Sequence, residues 1–150
     1  MSPDHIKEQF IRAAAVRYAW SFIGLPYRWG GDDPIRGFDC SGLIVEVLKG
    51  VGLLHHGDDL SANGLYIRYA TKLAASGYAG CLCFWFNPAG LATHVEMVVD
   101  DFHTIGASGG GSATTSPDAA ADQNAFIKQR PLGYRGTNYK LVDPFLGCAP

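Results

Sequence analysis

The chain has 150 residues, a length at which one domain with its own buried core is the commonest arrangement, so we expect a single domain over residues 1–150. Hydrophobic residues make up 47% of the chain and charged residues 17%, a composition that excludes a disordered polypeptide. The formal net charge of -2 comes without a long run of one sign, which argues against nucleic acid or an anionic membrane as a partner.

The N-terminal stretch MSPDHIKEQF does not have the charged and apolar regions of a secretory signal peptide. No segment approaches the ~20 apolar residues of a membrane span. The sequence therefore predicts cytoplasmic synthesis with no signal peptide and no membrane span, and any action outside the cytoplasm would need delivery by other machinery.

Three helices are predicted in the first half of the chain. The first covers Pro3 to Ile23, with Ser2 as N-cap and Gly24 as the stop. Its apolar positions recur every four residues, at Ile6, Phe10, Ala14, Tyr18 and Phe22. The second helix begins near Asp39 or Cys40 and stops at the glycines 50 and 52, and the third covers Ser61 to Ala70.

Five strands are predicted after these helices, in segments rich in β-branched and aromatic residues: Tyr78–Phe86, His94–Val99, Phe102–Ala107, Ala125–Arg130 and Tyr139–Val142. Strands that follow one another across short turns need no crossover helices. The order therefore favours an α+β fold in which N-terminal helices pack on an antiparallel sheet.

Cys40 lies where a helix N-terminus is expected, in the stretch GFDCSGL. Unpaired backbone N–H groups and the positive end of the helix dipole stabilise a thiolate there, and Asp39 is well placed to cap the helix. Gly42 keeps the first turn open for the close approach of a substrate. The other interpretation of Cys40 is a small buried hydrophobic residue.

A cysteine nucleophile needs a base, and the five histidines are the candidates. His5 falls on the first turn of the first helix, and His55 and His56 lie in a polar turn, so solvent exposure is expected for all three. His94 starts a strand, where a rigid scaffold can present a catalytic group. His103 lies next to the turn at residues 100–101 and is expected at the surface.

Four segments in this order and spacing resemble the NlpC-type cell-wall peptidases, which are papain-like cysteine endopeptidases that cut bacterial peptidoglycan stem peptides. The segments are LPYRWGG at 25–31, GFDCSGL at 37–43, GCLCFW at 80–85, and His94 with the hairpin that follows it. The resemblance covers roughly residues 6 to 130. It implies a papain-like fold with the catalytic cysteine at a helix N-terminus.

By this resemblance, Cys40 attacks the scissile carbonyl and His94 carries the proton from the thiol to the leaving amine, with a thioester between. Family members typically bind a free N-terminal L-alanine followed by γ-D-glutamate and cut the bond to the next, diamino acid. Tyr27, Asp39 and Ser41 match the positions of that recognition site. Loop packing for Tyr27 and helix capping for Asp39 and Ser41 are the structural interpretations of the same residues.

The sequence departs from the family at two places. The usual Gly-Asp-Leu at a strand start is Gly80, Cys81 and Leu82 here, and the third polar residue of the site, usually a histidine twelve positions after the catalytic one, falls on Gly106. Glycine has no side chain with which to orient an imidazole.

Glu96 is our candidate for the missing group. In a hairpin about residues 100–101, His94 pairs with Gly106 and Glu96 with Thr104, and all four side chains share one face. Glu96 is then diagonal to Gly106 and accepts a hydrogen bond from the ring of His94. The alternatives are a solvated or lysine-paired Glu96 on the outer face, with Thr104, Asn124 or a backbone carbonyl as the orienting group.

The sequence thus favours a cysteine peptidase of peptidoglycan or muropeptides that needs no metal and no cofactor. Delivery by a phage tail, which we favour, delivery by a secretion apparatus, and an intracellular role in muropeptide recycling all fit the sequence. A catalytically inactive wall-binding module and an amidase or acyltransferase on the same frame are the other hypotheses. Cys81 and Cys83 are expected as free thiols, and Cys148 has no assigned role. The glycine-rich stretch at 106–112 is interpreted as a flap beside the cleft, because it does not have the ending of a phosphate-binding loop.

Overall fold

A computed structural model of the protein describes residues 1–148. The helices are α1 (Pro3–Trp20), α2 (Cys40–Gly50), α3 (Ala62–Tyr69) and α4 (Pro117–Asp122). The strands are β1 (Asp32–Asp33), β2 (Gly37–Phe38), β3 (Leu82–Phe86), β4 (Ala92–Val98), β5 (His103–Ser108), β6 (Phe126–Pro131) and β7 (Tyr139–Val142). Within these residues, no helix combines the length and the apolar character that crossing a membrane requires.

The centre of the fold is a five-stranded sheet in the order β6-β5-β4-β3-β7, with every neighbouring pair antiparallel. The two-residue strands β1 and β2 form a separate small antiparallel pair. The predicted α+β class and antiparallel sheet are therefore confirmed. The predicted strand at Tyr78 starts later, at Leu82, because Gly80 adopts a φ of 98° and turns the chain before the sheet begins.

The buried face of α1 differs from the predicted one. Ile6 and Phe10, placed in the apolar stripe by the sequence, are 56% and 75% exposed, whereas Ala15, Ala19 and the charged Arg12 are buried. The helix also ends at Trp20, three residues before the predicted end. The cause of the rotated face is Arg12, whose partner lies inside the protein.

Arg12 forms a bidentate ion pair with Asp143, at 2.9 Å for each of the two N–O contacts. The hydroxyl of Tyr78 donates to the same carboxylate at 2.6 Å, and Glu8 accepts from Arg12 at 2.8 Å. A buried pair in which each charge has hydrogen-bond partners is costly to break from one side, by ~3–5 kcal/mol. The cluster fixes α1 to the segment that follows β7.

The helix α2 packs across β4 and β5 and also contacts α1. Its apolar side chains fall at the predicted spacing, and Leu43, Ile44, Val47 and Leu48 are fully buried. This packing holds the N-terminus of α2, where Cys40 lies, beside the first half of β4, where His94 lies.

Candidate active site

Cys40 is the first residue of α2, as predicted. Asp39 caps the helix in an extended conformation, and its Oδ1 accepts from the backbone N–H of Gly42 at 2.7 Å and from the Ser41 hydroxyl at 3.3 Å. Cys40 as a residue is partly exposed. The backbone N–H groups of Val95 and Ser41 both reach the thiol sulfur, so it lies directly against the strand that carries His94.

Burial raises the pKa of the Cys40 thiol to about 11, and the charge of Asp39 adds to the rise. The hydrogen bonds from Val95 and Ser41 and the positive charge of Arg135 oppose it. The free protein therefore holds a neutral thiol at neutral pH, and attack on a carbonyl requires a base that removes the proton during the reaction.

His94 lies two residues inside β4, is 7% exposed, and contacts Glu96 through Nε2, at 2.8 Å from Oε2. Glu96 is fully buried on the same face of the strand. Trp85, the pairing partner of His94 on β3, packs its ring 5.7 Å from the imidazole. The sequence-based contact between Glu96 and the His94 ring is thus present in the structure.

Glu96 is ionised despite its burial. Burial acts to raise its pKa, but hydrogen bonds and charge from His94 and hydrogen bonds from Thr104 and Tyr134 outweigh it and lower the pKa below the ordinary value. An ionised carboxylate only accepts hydrogen bonds, so Nε2 of His94 carries the proton of the contact.

The tautomer follows from this contact. Burial lowers the pKa of His94, against the raising effect of Glu96, so the ring is neutral at neutral pH. A neutral ring protonated at Nε2 leaves Nδ1 as an acceptor. His94 is therefore in the form that can take a proton from a thiol.

The register of the β4–β5 hairpin differs from the predicted one by two residues. Met97 pairs with Ile105 and Val98 with Thr104, which puts Glu96 level with Gly106. The turn is longer than expected because the Asp100 carboxylate accepts from the N–H of Phe102 at 2.8 Å, so that Val99 and His103 close a three-residue turn. A shift of two keeps every side chain on its face.

Gly106 makes room for Glu96. A Cβ at residue 106 would lie 2.4 Å from Cγ and 2.8 Å from Oε2 of Glu96, closer than real contacts allow. The Glu96 carboxylate thus occupies the space that a side chain at residue 106, the position of the family's usual third residue, would need. Thr104, an alternative orienting group, donates to Oε1 of Glu96 at 2.6 Å and supports the carboxylate instead of the ring.

Sequence reasoning missed the polar groups on the far side of Glu96. Tyr134, from the loop between β6 and β7, donates to Oε2 of Glu96 at 3.0 Å, and Ser108 lies 2.6 Å from the same hydroxyl. Arg135 donates from Nε to the Tyr134 oxygen at 3.2 Å, and that Nε is 4.0 Å from Oε2 of Glu96. The stretch LGYRG contains no motif, and only the tertiary fold brings it here.

Asp39 and Ser41 line a cavity of about 300 Å³ beside Cys40, together with Asp32 and Asp59. Three carboxylates and a hydroxyl suit a cationic group such as an ammonium. Asp39 also caps α2, as the structural interpretation predicted, whereas the Ser41 hydroxyl only donates to the capping carboxylate. Both residues lie at the wall of this cavity.

Tyr27 is buried, and its pKa is raised to about 12, by burial first and then by the charges of Cys40 and Asp39. Its ring packs on the glycine-rich stretch, where a Cβ at Gly110 would lie 2.2 Å from Cδ1. The predicted packing role of Tyr27 is therefore present, and the ring lies close enough to Cys40 for the charge of its thiolate to act on the phenol.

Gly42 has a packing role that the sequence did not predict. A Cβ there would lie 2.0 Å from the carbonyl oxygen of Gly31, so the glycine admits the 25–31 loop against α2, and it also lines the cavity at Asp39 and Ser41. The same carbonyl accepts from the N–H of Asp39 at 3.1 Å, which fixes the loop to the cap of the helix.

The other histidines lie away from this cluster. His5, His55 and His56 are exposed, and the half-exposed His103 contacts Asp100 at 3.0 Å on the turn. Cys81 and Cys83 are buried free thiols, as expected, and Cys148 is a partly buried free thiol. Asn124, another alternative for orienting His94, has a φ of 52° and its carbonyl accepts from Lys128.

The sequence model of the NlpC/P60 family matches residues 24–131. The peptidoglycan endopeptidase RipB of Mycobacterium tuberculosis is 33% identical over 128 residues, which cover 75% of this chain and 50% of the relative. The murein DD-endopeptidase MepH of Escherichia coli is 63% identical over 96 residues, which cover 62% of this chain and 35% of the relative. The chain spans about half the length, or less, of these curated relatives.

Solved structures show the same fold. The NlpC/P60 domain of the peptidoglycan hydrolase SagA superposes with a TM-score of 0.57 at 25% identity, over 88% of this chain and 97% of that chain. RipB from Mycobacterium tuberculosis superposes with a TM-score of 0.65 at 20% identity, over 96% of this chain and 68% of that chain. The expected papain-like architecture is confirmed, and the chain belongs to the NlpC/P60 family.

Proposed function

We propose that this protein is a cysteine endopeptidase of peptidoglycan stem peptides, working through Cys40, His94 and Glu96. The observation that carries the proposal is the 2.8 Å contact between Glu96 and the ring of His94, on the strand whose Val95 N–H is directed at the thiol of Cys40. Family membership supplies the substrate class, since the relatives are named as peptidoglycan endopeptidases.

The reaction begins with a neutral thiol and a neutral imidazole. Nδ1 of His94 takes the Cys40 proton as the sulfur attacks the scissile carbonyl, and the imidazolium that forms is stabilised by the ionised Glu96. The backbone N–H groups at the start of α2 are available to the developing oxyanion.

The tetrahedral intermediate then collapses to a thioester. His94 returns its proton to the amine of the leaving diamino acid, and the acyl group remains on Cys40. A water molecule, deprotonated by the same ring, attacks the thioester and regenerates the thiol.

The bond we expect to be cut is that between γ-D-glutamate and the diamino acid. The acidic cavity at Asp39 and Ser41 supports binding of the free ammonium of an N-terminal L-alanine, with Tyr27 beside it. The contact between His94 and the ionised Glu96 favours an active enzyme over an inactive wall-binding module. Delivery by a phage tail or a secretion apparatus stays a prediction from the sequence.

Digestion of purified free stem peptides and of muropeptides, followed by mass spectrometry, tests the proposal. The wild type is expected to release L-alanyl-D-glutamate from the free stem peptides, and Cys40→Ala to release none. Cys148→Ala is the matched control, because Cys148 is the other partly exposed cysteine, and it should cut like the wild type. Cleavage by Cys40→Ala would refute the peptidase mechanism, and a cut between the sugar and alanine would indicate an amidase.

A further inference from the structure

Arg135 is a charged residue at the site for which the reaction described above has no use. It stands in the loop between β6 and β7, between Gly133 and Gly136, whose φ values of 86° and 117° define the shape of that loop. The ring nitrogen of Trp85 donates to the carbonyl of Gly136 at 3.2 Å. At the other end of the loop, the N–H of Leu132 donates to the carbonyl of Phe102 at 2.7 Å, so both ends of the loop that carries Arg135 are fixed.

The guanidinium lies next to the catalytic groups. Its Nε is 4.0 Å from Oε2 of Glu96, the same oxygen that contacts His94 at 2.8 Å. Burial dominates the pKa of Cys40, His94 and Tyr27, but the positive charge of Arg135 acts to lower each of them. The positive charge of Arg135 thus acts on the proposed nucleophile Cys40, on the proposed base His94 and on Tyr27.

Part of the guanidinium fork is free. The hydrogen bond of Arg135 uses Nε and ends on the Tyr134 hydroxyl, so both Nη groups have no acceptor among residues 1–148. The side chain is 35% exposed. A fixed, half-exposed guanidinium with free donors matches the geometry of a carboxylate, which it binds through two parallel hydrogen bonds.

The proposed substrate offers such a carboxylate at this position. When glutamate is linked through its side chain, the scissile carbonyl is the γ-carbonyl and the α-carboxylate stays free. Four C–C bonds separate the two carbon atoms, a distance of roughly 5 Å when extended. A cation beside the nucleophile is therefore within reach of this group.

We propose that Arg135 binds the free α-carboxylate of the residue whose γ-carbonyl is attacked by Cys40. The inference rests on the proposed function, because it concerns the specificity of the same site. Arg135 then selects an acidic residue over its neutral amide at this position, whereas the acidic cavity at Asp39 selects the ammonium at the N-terminus of the substrate. The two ends of the bound dipeptide meet opposite charges.

Two synthetic tripeptides test this assignment: L-alanyl-γ-D-glutamyl-diamino acid, and the same peptide with the α-carboxylate amidated. The wild type is expected to prefer the carboxylate peptide by ~10–100-fold in kcat/KM, the range of one charge-assisted hydrogen-bond pair. The preference should fall towards one in Arg135→Gln and take an intermediate value in Arg135→Lys, which keeps the charge but not the fork.

Arg130→Gln is the matched control. Arg130 stacks on the same Tyr134 ring, with Cζ 5.0 Å from the centroid, so its removal perturbs the loop without removing the cation at the cleft. It should keep the wild-type preference. A purely structural role of Arg135 would lower the rates of both peptides alike and leave the preference unchanged, which would overturn the assignment.

The two hypotheses fail in different ways. A wild type that cuts both peptides equally well would overturn the role of Arg135 and leave the peptidase intact. A wild type that cuts neither peptide would overturn the proposed function, and the assignment with it.

Discussion

Replacing Glu96 by glutamine tests the electrostatic support of His94 with little change of shape. The variant keeps an oxygen that can accept from Nε2, but it loses the negative charge that faces the imidazolium. Two unit charges about 4 Å apart attract by ~4 kcal/mol at an effective dielectric constant of 20. The 2.8 Å contact between His94 and Glu96 puts the charge centres near that separation.

The amide dipole retains part of this energy, so we expect the barrier to rise by ~2–4 kcal/mol and kcat to fall by roughly 30-fold to 1000-fold. Steady-state cleavage of the γ-D-glutamyl tripeptide measures this loss, and thermal unfolding checks that the variant is folded. Asp100→Asn is the matched control, because it makes the same carboxylate-to-amide change next to His103 on the turn of the same hairpin. It should cut like the wild type.

The pH profile adds a second signature. Cleavage requires neutral His94, and burial holds its pKa below the ordinary value, so the acid limb of kcat/KM lies below pH ~6.5. Glu96 opposes that effect by raising the pKa of the ring, so Glu96→Gln should move the acid limb to still lower pH. A variant within about threefold of the wild-type rate, or one whose acid limb does not move, would refute the role of Glu96.

Three further predictions follow from the surroundings of Glu96. Gly106→Ala forces a Cβ to within 2.4 Å of Glu96 Cγ and should lower both cleavage and the unfolding temperature, whereas Gly111→Ala, which meets open space, should change neither. Tyr134→Phe removes the hydrogen bond donated to Glu96 Oε2, so kcat should fall by ~3–10-fold, with an unchanged rate arguing against the contact. The folded state depresses the pKa of Glu96, so its carboxylate stabilises the fold above pH ~4.3. That stabilisation is lost as the pH falls through the folded-state pKa. The free energy of unfolding of Glu96→Gln should therefore fall less steeply than that of the wild type over this acid range.

Local signals in the sequence were sufficient to place Cys40, the proposed nucleophile, at the start of a helix. An aspartate before the apolar helical spacing of α2 predicts the cap, and Cys40 is the first residue of that helix in the structure. The period of two along a strand likewise places His94 and Glu96 on one face. These features depend on neighbours in the chain, which a sequence displays directly.

Features set by tertiary contacts were not predictable in the same way. The hairpin register shifted because the Asp100 side chain closes a longer turn, and the face of α1 rotated because Arg12 finds Asp143 across the fold. Tyr134 and Arg135 reach Glu96 from a loop some way along the chain, and no pattern around them marks a site.

The most direct test of the proposed mechanism is to trap the acyl-enzyme. The tripeptide is mixed with the protein, the reaction is quenched with acid before turnover is complete, and the modified residue is located by peptide mass mapping. We expect the L-alanyl-γ-D-glutamyl group in thioester linkage to Cys40, accumulating to a lower level in Glu96→Gln. Acylation of another residue, or cleavage that proceeds in Cys40→Ala, would contradict this mechanism.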